Sequence, residues 1–254
     1  MNRFSKIHLA CVTAPLALAL AACSGSEDAE GGLDGDAIAA IEAPEGTSWT
    51  ETVTVSEDGE GYILGNPDAP LKLVEYASHT CGACANFSVT GKPSLKDDYV
   101  STGVVSFEQR EVFLQPTDVA IATLARCGAK EQYQTLSDEV WRNLNQVFQA
   151  LQANQAALQA VDQLPKEERM ERIADVGGLI DFFAARGLSA DLARTCLRDA
   201  DKMEAMIEAV EAKNKEIGIT GTPTFTLNGR KVDALQWPDL EPILQRAGAR
   251  QDAE

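Results

Sequence analysis

Alternating apolar and polar positions predict three extended segments in the first half of the chain. Residues 53–55 alternate in this way, and a turn signal at 58–59 predicts that they open a hairpin. The run 71–77 is apolar enough to be a central strand of a sheet. A third strand is predicted within 103–114, and Pro116 ends it because proline has no N–H to donate to a ladder.

Helical spacing replaces this alternation after the third strand. From residue 117 to residue 216, apolar residues recur three or four positions apart, as at Leu144 and Val147, without a convincing strand. Extended segments return after this block, where Asn-Gly at 228–229 is typical of a two-residue hairpin. A last helix is predicted over 238–247. The folded part therefore has strands at both ends and a long helical segment between them.

The first 48 residues are expected to precede the folded part. Arg3 and Lys6 are followed by an apolar run and then by small residues, so that 1–22 has the layout of a secretory signal. The apolar run is too short to span a bilayer comfortably. Residues 23–48 are rich in Gly, Ala, Asp and Glu and offer little to build a core, which predicts a flexible acidic tether.

Charge and length narrow the function classes. The chain of 254 residues carries 39 acidic and 22 basic residues, for a formal net charge of −17. This charge argues against nucleic acid or anionic lipid head groups as partners. The length suits one domain, or one domain with a large insertion.

Cys81 and Cys84 lie three positions apart, where the predicted central strand gives way to a predicted helix. Residues at this spacing share a helix face, so the two sulfurs can meet. The free N–H groups and the dipole at a helix start stabilise an anion, and such settings lower a cysteine pKa from about 8.5 to roughly 3.5–7.5. We therefore expect Cys81 to form a mixed disulfide with a substrate and Cys84 to be the resolving thiol.

Two other interpretations of the pair remain open. A metal site would need two further ligands, for which His79, Cys127 and Cys196 are available, none of them in a second CxxC. A purely structural bridge within the pair would close a very short loop and stabilise little. Under either interpretation the protein would be a non-catalytic exported module, which would be a metal chaperone or an interaction domain.

Two separate stretches together resemble one protein family. LVEYASHTCGACANF at 73–87 and ITGTPTFTLNG at 219–229 resemble the DsbA-like branch of the thioredoxin superfamily, the exported bacterial thiol:disulfide oxidoreductases. The resemblance implies an α/β thioredoxin fold with an inserted all-helical domain. Residues 49–116 and 217–254 would form the thioredoxin-fold domain, and 117–216 the insertion. No cofactor and no metal are implied.

The resemblance also implies roles for individual residues. Pro223 would follow a cis peptide bond and lie against the cysteine pair, so that the backbone of Thr222 could pair with an extended substrate segment. Glu75, six positions before Cys81, matches an acidic position beneath the resolving cysteine. A raised pKa would let this carboxyl relay a proton, and an exposed strand glutamate is the alternative.

Further residues carry weaker expectations. Some members of the family have a second disulfide in the helical domain, which implies a Cys127–Cys196 bridge, and separate buried thiols are the alternative. His79, two positions before the nucleophile, would favour the thiolate if it were protonated and would lie where substrate binds. A solvated loop residue is the alternative interpretation of His79.

The dipeptide between the cysteines, Gly82-Ala83, departs from the Pro-His of strongly oxidising members. It offers no imidazole to the Cys81 thiolate, so oxidase, reductase and isomerase activities all stay open, with oxidase favoured. Residues 24–48 look too short and polar for the dimerisation domain of the isomerases, and a monomer is expected. The substrates would be exported cysteine-containing proteins, and a membrane protein of the DsbB kind would recycle the enzyme.

The end of the signal segment, Leu-Ala-Ala-Cys at 20–23, resembles the lipobox of bacterial lipoproteins. Cys23 would then carry lipid, and acyl chains would hold the protein at the periplasmic side of a bacterial membrane. Ordinary cleavage after Ala22 is the alternative. Whether the inner or the outer membrane holds the anchor stays open.

Overall fold

The computed structural model describes residues 33–249 of the chain. These residues form a sheet whose strands are β1 (Val53–Val55), β2 (Gly61–Leu64), β3 (Leu71–Ala77), β4 (Val105–Glu111), β5 (Thr224–Leu227) and β6 (Arg230–Val232). The strand order is β1-β2-β4-β3-β5-β6. Strands β3 and β4 run parallel, whereas all other neighbours run antiparallel. The predicted central strand is therefore central, and a crossover helix follows it.

Both predicted hairpins form, and in the second the residues of the turn explain why it forms. Asn228 and Gly229 join β5 to β6 with φ angles of 50° and 79°. Two-residue hairpin turns need this left-handed conformation, which Asn and Gly adopt readily. The Asn228 side chain also accepts a hydrogen bond from the backbone N–H of Lys72 at 2.8 Å and donates one to the Pro70 carbonyl at 3.1 Å. The hairpin is thereby fixed to the start of β3.

Helices cover the sheet and fill the segment between β4 and β5. The α-helices are α1 (Gly82–Thr90), α2 (Lys92–Ser94), α3 (Pro116–Cys127), α4 (Tyr133–Arg142), α5 (Leu144–Ala153), α6 (Gln155–Gln159), α7 (Lys166–Val176), α8 (Leu179–Ala184), α9 (Ala190–Arg198), α10 (Ala200–Ile217) and α11 (Trp237–Arg246). A π-helical turn (Leu95–Tyr99) and 3-10 turns (Trp49–Glu51, Val100–Thr102, Lys130–Gln132, Val161–Gln163) complete them. The helical segment and the last helix thus lie where the periodicity predicts them.

One continuous core joins the sheet to the helical insertion. Phe107 of β4 and Phe225 of β5 belong to the same buried cluster as Leu124 of α3 and Phe183 of α8. Phe87 of α1 packs edge-on against Phe225, with the ring centroids 4.8 Å apart. Each such side chain contributes about 1.5–3 kcal/mol when fully buried. The insertion is therefore held against the sheet by shared apolar surface.

The prediction of a flexible tether over 23–48 is wrong for residues 33–48. The backbone N–H of Ile38 donates to the Gly248 carbonyl at 2.9 Å, and that of Ile41 donates to the Thr102 carbonyl at 2.8 Å. The Trp49 indole donates to the Ile41 carbonyl at 2.7 Å, and Ile38 packs on the core. Residues 33–48 are therefore a segment without helix or strand that is bound to the domain. The predicted signal and Cys23 lie outside the described residues.

A disulfide joins Cys127, at the end of α3, to Cys196 of α9, as the family resemblance implies. The two Cα atoms are 6.1 Å apart, and the bridge closes a loop with a sequence separation of 69. It ties the first helix of the insertion to a helix near its end.

Replacing both Cys127 and Cys196 by alanine should lower the free energy of unfolding by about 4 kcal/mol, because the unfolded chain regains the entropy of a long open loop. Urea unfolding of the double variant, beside the parent protein with its bridge intact, measures this loss. Equal midpoints with equal slopes would contradict a stabilising role. The double variant should keep the reactivity of the remaining cysteine pair below its own unfolding temperature.

Candidate active site

The reactive pair lies where β3 meets α1. Strand β3 ends at Ala77, a loop of three residues follows, and Cys81 is the residue that caps the start of α1. Both thiols are free: Cys81 is half-buried, whereas Cys84 is 0% exposed. Only the first sulfur is therefore accessible to another protein.

The surroundings of Cys81 stabilise its thiolate. The thiol of Cys84 donates a hydrogen bond to it, and this bond, against the opposing effect of burial, lowers the pKa of Cys81 to about 5. The Thr222 side chain and the backbone N–H groups of Ala83 and Cys84 act in the same direction. Those N–H groups are the unsatisfied donors of a helix start. The expected activation of Cys81 is thus present, and no imidazole is needed for it.

The same contacts keep Cys84 protonated. The hydrogen bond to Cys81 raises the pKa of Cys84 above its ordinary value, burial raises it further, and so does the charge of Glu75 whenever that carboxyl is ionised. Trp141 of α4 packs against this buried thiol together with Ala77. The two sulfurs therefore differ in both access and proton affinity.

Thr222 and Pro223 stand beside the nucleophile. The peptide bond between them is cis. The Cys81 thiol donates to the Thr222 carbonyl, with sulfur and oxygen 3.3 Å apart. The carbonyl thus binds the thiol form, while the Thr222 side chain stabilises the thiolate. When Cys81 is ionised it has no proton to donate, and the Thr222 carbonyl becomes free to accept another hydrogen bond.

Glu75 is buried in the centre of the sheet. It lies in β3, paired with both β4 and β5, and is 1% exposed. One of its carboxyl oxygens, Oε1, has no hydrogen-bond partner. Burial raises the pKa of Glu75 to about 8, although the positive charge of Lys92 opposes this. The alternative of an exposed strand glutamate is thereby excluded, and Glu75 is a carboxylic acid at neutral pH.

The expectation for His79 is wrong, because this residue is 0% exposed. Its Nε2 lies 3.0 Å from Ser137 Oγ, its Nδ1 lies 3.2 Å from Glu111 Oε2, and its ring stacks on Trp141. A histidine enclosed in this way can neither contact a substrate nor remain solvated. Its partners come from β4 and α4, which explains why the loop sequence does not reveal them.

Gly82 and Ala83 form the exposed edge of the site. Gly82 is exposed, and a Cβ atom placed on it would meet nothing within 4 Å. The Ala83 carbonyl accepts a hydrogen bond from Gln236 Nε2 at 3.4 Å. Gln236 was not singled out from the sequence, since it lies far downstream just before α11. It links the loop before the last helix to the helix that carries the cysteines.

The metal interpretation lacks ligands within residues 33–249. His79 is already in contact with Ser137 and Glu111. Cys127 and Cys196 are bonded to each other. The pair has no second set of soft ligands of the kind that zinc needs, and the geometry fits thiol exchange.

Comparisons with known proteins agree with this geometry. A family model described as Thioredoxin matches residues 57–246. A relative from Rickettsia typhi, named as a protein-disulfide oxidoreductase, is 26% identical over 202 residues, which cover 79% of this chain and 67% of the relative. The structure of a protein-disulfide isomerase from Novosphingobium aromaticivorans is 28% identical and superposes with a TM-score of 0.69, over 74% of this chain and 97% of that one.

A more distant structure shares the fold. The alpha-DsbA1 of Wolbachia pipientis is 21% identical, with a TM-score of 0.59 over 80% of this chain and 96% of its own. The family match spans most of the chain and includes both cysteines and Pro223. The chain therefore belongs to the thioredoxin family, as a DsbA-like protein-disulfide oxidoreductase.

Proposed function

We propose that the chain is a thiol:disulfide oxidase that faces the periplasm and forms disulfides in exported cysteine-containing proteins. The observation that carries this proposal is the difference between the two sulfurs. Cys81 is accessible and has a pKa of about 5, whereas Cys84 is buried with a raised pKa. This asymmetry assigns attack to one sulfur and resolution to the other.

The reaction starts from an enzyme with a Cys81–Cys84 disulfide. A substrate thiolate attacks the Cys81 sulfur, the bond to Cys84 breaks, and its electron pair leaves on Cys84. Neutral Glu75 gives its proton to that leaving thiolate. A second substrate thiolate then attacks the substrate sulfur of the mixed disulfide, and Cys81 leaves as a thiolate. The substrate loses two electrons, and a DsbB-type membrane partner removes them from the enzyme.

The stabilised thiolate favours the oxidase direction. Only the reduced enzyme contains it, so its stabilisation lowers the free energy of the reduced form and makes the disulfide more oxidising. Cys84, Thr222 and the helix N–H groups supply that stabilisation although Gly82 and Ala83 offer no side-chain donor. A reductase of the same fold would need a less stable thiolate, so the stabilised Cys81 thiolate argues against that direction.

Substrate binding is assigned to the Thr222 backbone. Its carbonyl accepts from Cys81 only in the thiol form, so in the Cys81–Cys84 disulfide it is available to an N–H of an extended substrate segment beside the sulfur. Pro223 has no N–H and directs the chain into β5. The exposed edge at Gly82 leaves room for a bulky polypeptide to approach.

The location rests on the sequence. The signal layout of 1–22 and the lipobox at Cys23 support export and lipid anchoring to the periplasmic side of a membrane. Within residues 33–249, no helix is long and apolar enough to cross a membrane. The negative net charge suits a domain held near a membrane by lipid and not by contact with anionic head groups.

The alkylation rate of Cys81 tests the proposal. In the reduced protein, the rate with iodoacetamide should follow one titration with a midpoint near pH 5, because only the thiolate reacts and an ordinary thiol titrates near about 8.5. The redox potential, measured against glutathione, should lie nearer to the about −120 mV of a strong oxidase than to the about −270 mV of thioredoxin. An ordinary midpoint together with no oxidation of a reduced protein substrate would contradict the proposal.

A further inference from the structure

Asp118, at the start of α3, is a carboxylate with 0% exposure that accepts five hydrogen bonds. Its Oδ1 accepts from the Ser78 hydroxyl and from the backbone N–H of Thr80, both at 2.9 Å. Its Oδ2 accepts from the Thr80 hydroxyl at 3.1 Å and from the backbone N–H groups of Leu114 at 2.9 Å and Gln115 at 3.1 Å. One side chain thus binds two loops.

The first of these loops, 78–80, leads directly into the nucleophile. The backbone N–H of Cys81 donates to the Ser78 carbonyl at 3.2 Å, and the Trp141 indole donates to the same carbonyl at 3.1 Å. The Ser78 backbone also forms a hydrogen bond with the sulfur of Cys84. The position of this loop therefore determines where both sulfurs lie.

The second loop, 112–115, belongs to the entrance of the helical insertion. It connects β4 to α3, and Gln115 caps that helix while Asp118 occupies its third position. The carboxylate also benefits from the positive end of the α3 dipole. Asp118 therefore joins the insertion to the loop before the redox pair.

We propose that Asp118 is a positioning residue for thiol exchange, holding loop 78–80 so that the Cys81 sulfur faces the N–H groups of α1 and Thr222. This inference rests on the proposed function of the Cys81–Cys84 pair. Cys81 only caps α1, with an extended backbone at φ −87° and ψ 121°, so its direction depends on the loop before it. If the loop loosens, the sulfur leaves its donors and the thiolate becomes less stable.

A carboxylate is needed because every neighbour of Asp118 donates. An asparagine in its place has one accepting oxygen and one NH₂ group with two donors. Whichever way the amide turns, at least one backbone N–H of Thr80, Leu114 or Gln115 faces another donor. Asp118→Asn therefore keeps the size of the side chain but breaks the set of hydrogen bonds that holds the two loops together.

The test is the pH profile of Cys81 alkylation in the full chain. Asp118→Asn should raise the midpoint by about one pH unit, which is a tenfold smaller thiolate fraction at acidic pH. It should slow the oxidation of a reduced protein substrate by a similar factor. Thr80→Val, which removes a single hydrogen bond to Asp118 without a change in shape, should give a smaller shift of the same sign and serves if Asp118→Asn does not fold.

A matched control is Glu171→Gln. Glu171 is also a buried acid of the helical insertion, ion-paired with Arg194 and Arg198 and without a contact to either loop. This variant should unfold more easily yet keep the midpoint of the parent. If folded Asp118→Asn kept the alkylation midpoint of the parent, the role of Asp118 would be merely structural. If the midpoint fell, Asp118 would act on Cys81 through its charge. Either result overturns the inference. If the proposed function itself fails, the parent protein already lacks the acidic midpoint and the oxidase activity.

Discussion

Replacing Cys81 by serine should reduce the oxidation of protein thiols to the uncatalysed rate, whereas replacing Cys84 by serine should trap the substrate. A serine hydroxyl cannot form a disulfide, and the buried position of Cys84 prevents it from replacing Cys81. Without Cys84, a mixed disulfide at Cys81 has no internal thiol to resolve it. Gel mobility without reductant, after reaction with a disulfide-bonded substrate, should show the adduct only for Cys84→Ser.

The Cys127→Ala, Cys196→Ala double variant is the control for this pair of experiments. It removes the structural bridge and keeps the redox pair, so it should remain active where it is folded. Adduct formation by Cys81→Ser through Cys84 would contradict the assignment of the nucleophile. Full activity of Cys84→Ser over many turnovers would contradict the assignment of the resolving thiol.

The elements around the site were predictable because their signals are local. The apolar run 71–77 indicates a central strand without knowledge of its neighbours, and Asn228-Gly229 specifies its own turn through backbone preference. The activation of Cys81 follows in large part from Cys84, three positions on, and from the place of Cys81 at a helix start. In each case a few consecutive residues contain the physical cause.

The burial of polar residues was not predictable in the same way. His79 is polar and lies in a loop, yet Ser137 and Glu111 enclose it from distant parts of the chain. Asp118 could have been noted as an acid in the first turn of a helix that begins at Pro116, but its ties to Ser78 and Thr80 depend on the packing of the insertion.

The segment predicted as a tether shows the same limit. Residues 33–48 consist largely of Ala, Gly, Asp and Glu with few large apolar side chains, and composition alone favours disorder. Two of their backbone N–H groups nevertheless donate to the carbonyls of Thr102 and Gly248, which lie far away in sequence. Ile38 and Leu33 add apolar contacts with the core. A few apolar contacts and backbone hydrogen bonds therefore order this segment although its composition favours disorder.

Replacing Glu75 by glutamine should slow turnover by about 100-fold, because the Cys84 thiolate loses its proton donor and, in the reverse step, its base. The parent should lose activity in the oxidising direction as pH rises above about 8, where Glu75 ionises. The glutamine variant should lack this pH dependence. Stopped-flow oxidation of a reduced peptide, followed from about pH 6 to about pH 9, measures both effects.

The same substitution should stabilise the fold at neutral and alkaline pH. Burial raises the pKa of Glu75 to about 8 from an ordinary value of 4.5, so the folded state retains a proton that the unfolded state releases. The unfolding free energy of the parent should therefore fall by up to about 1.4 kcal/mol per pH unit in this window, from the raised pKa of this one group. Below the ordinary pKa of glutamate, parent and variant should show the same pH dependence.

A Glu75→Gln variant that turns over more slowly and is more stable would show that the carboxyl is catalytic and not structural. Replacing a structural carboxyl would instead lower the stability of the protein. Glu75→Asp keeps a carboxyl and should recover part of the rate, although its shorter side chain leaves a gap in the core. Urea unfolding of the reduced parent and variants at about pH 5 and at about pH 8 gives the difference in unfolding free energy between them. A glutamine variant with the turnover of the parent would remove Glu75 from the mechanism and leave proton transfer to water.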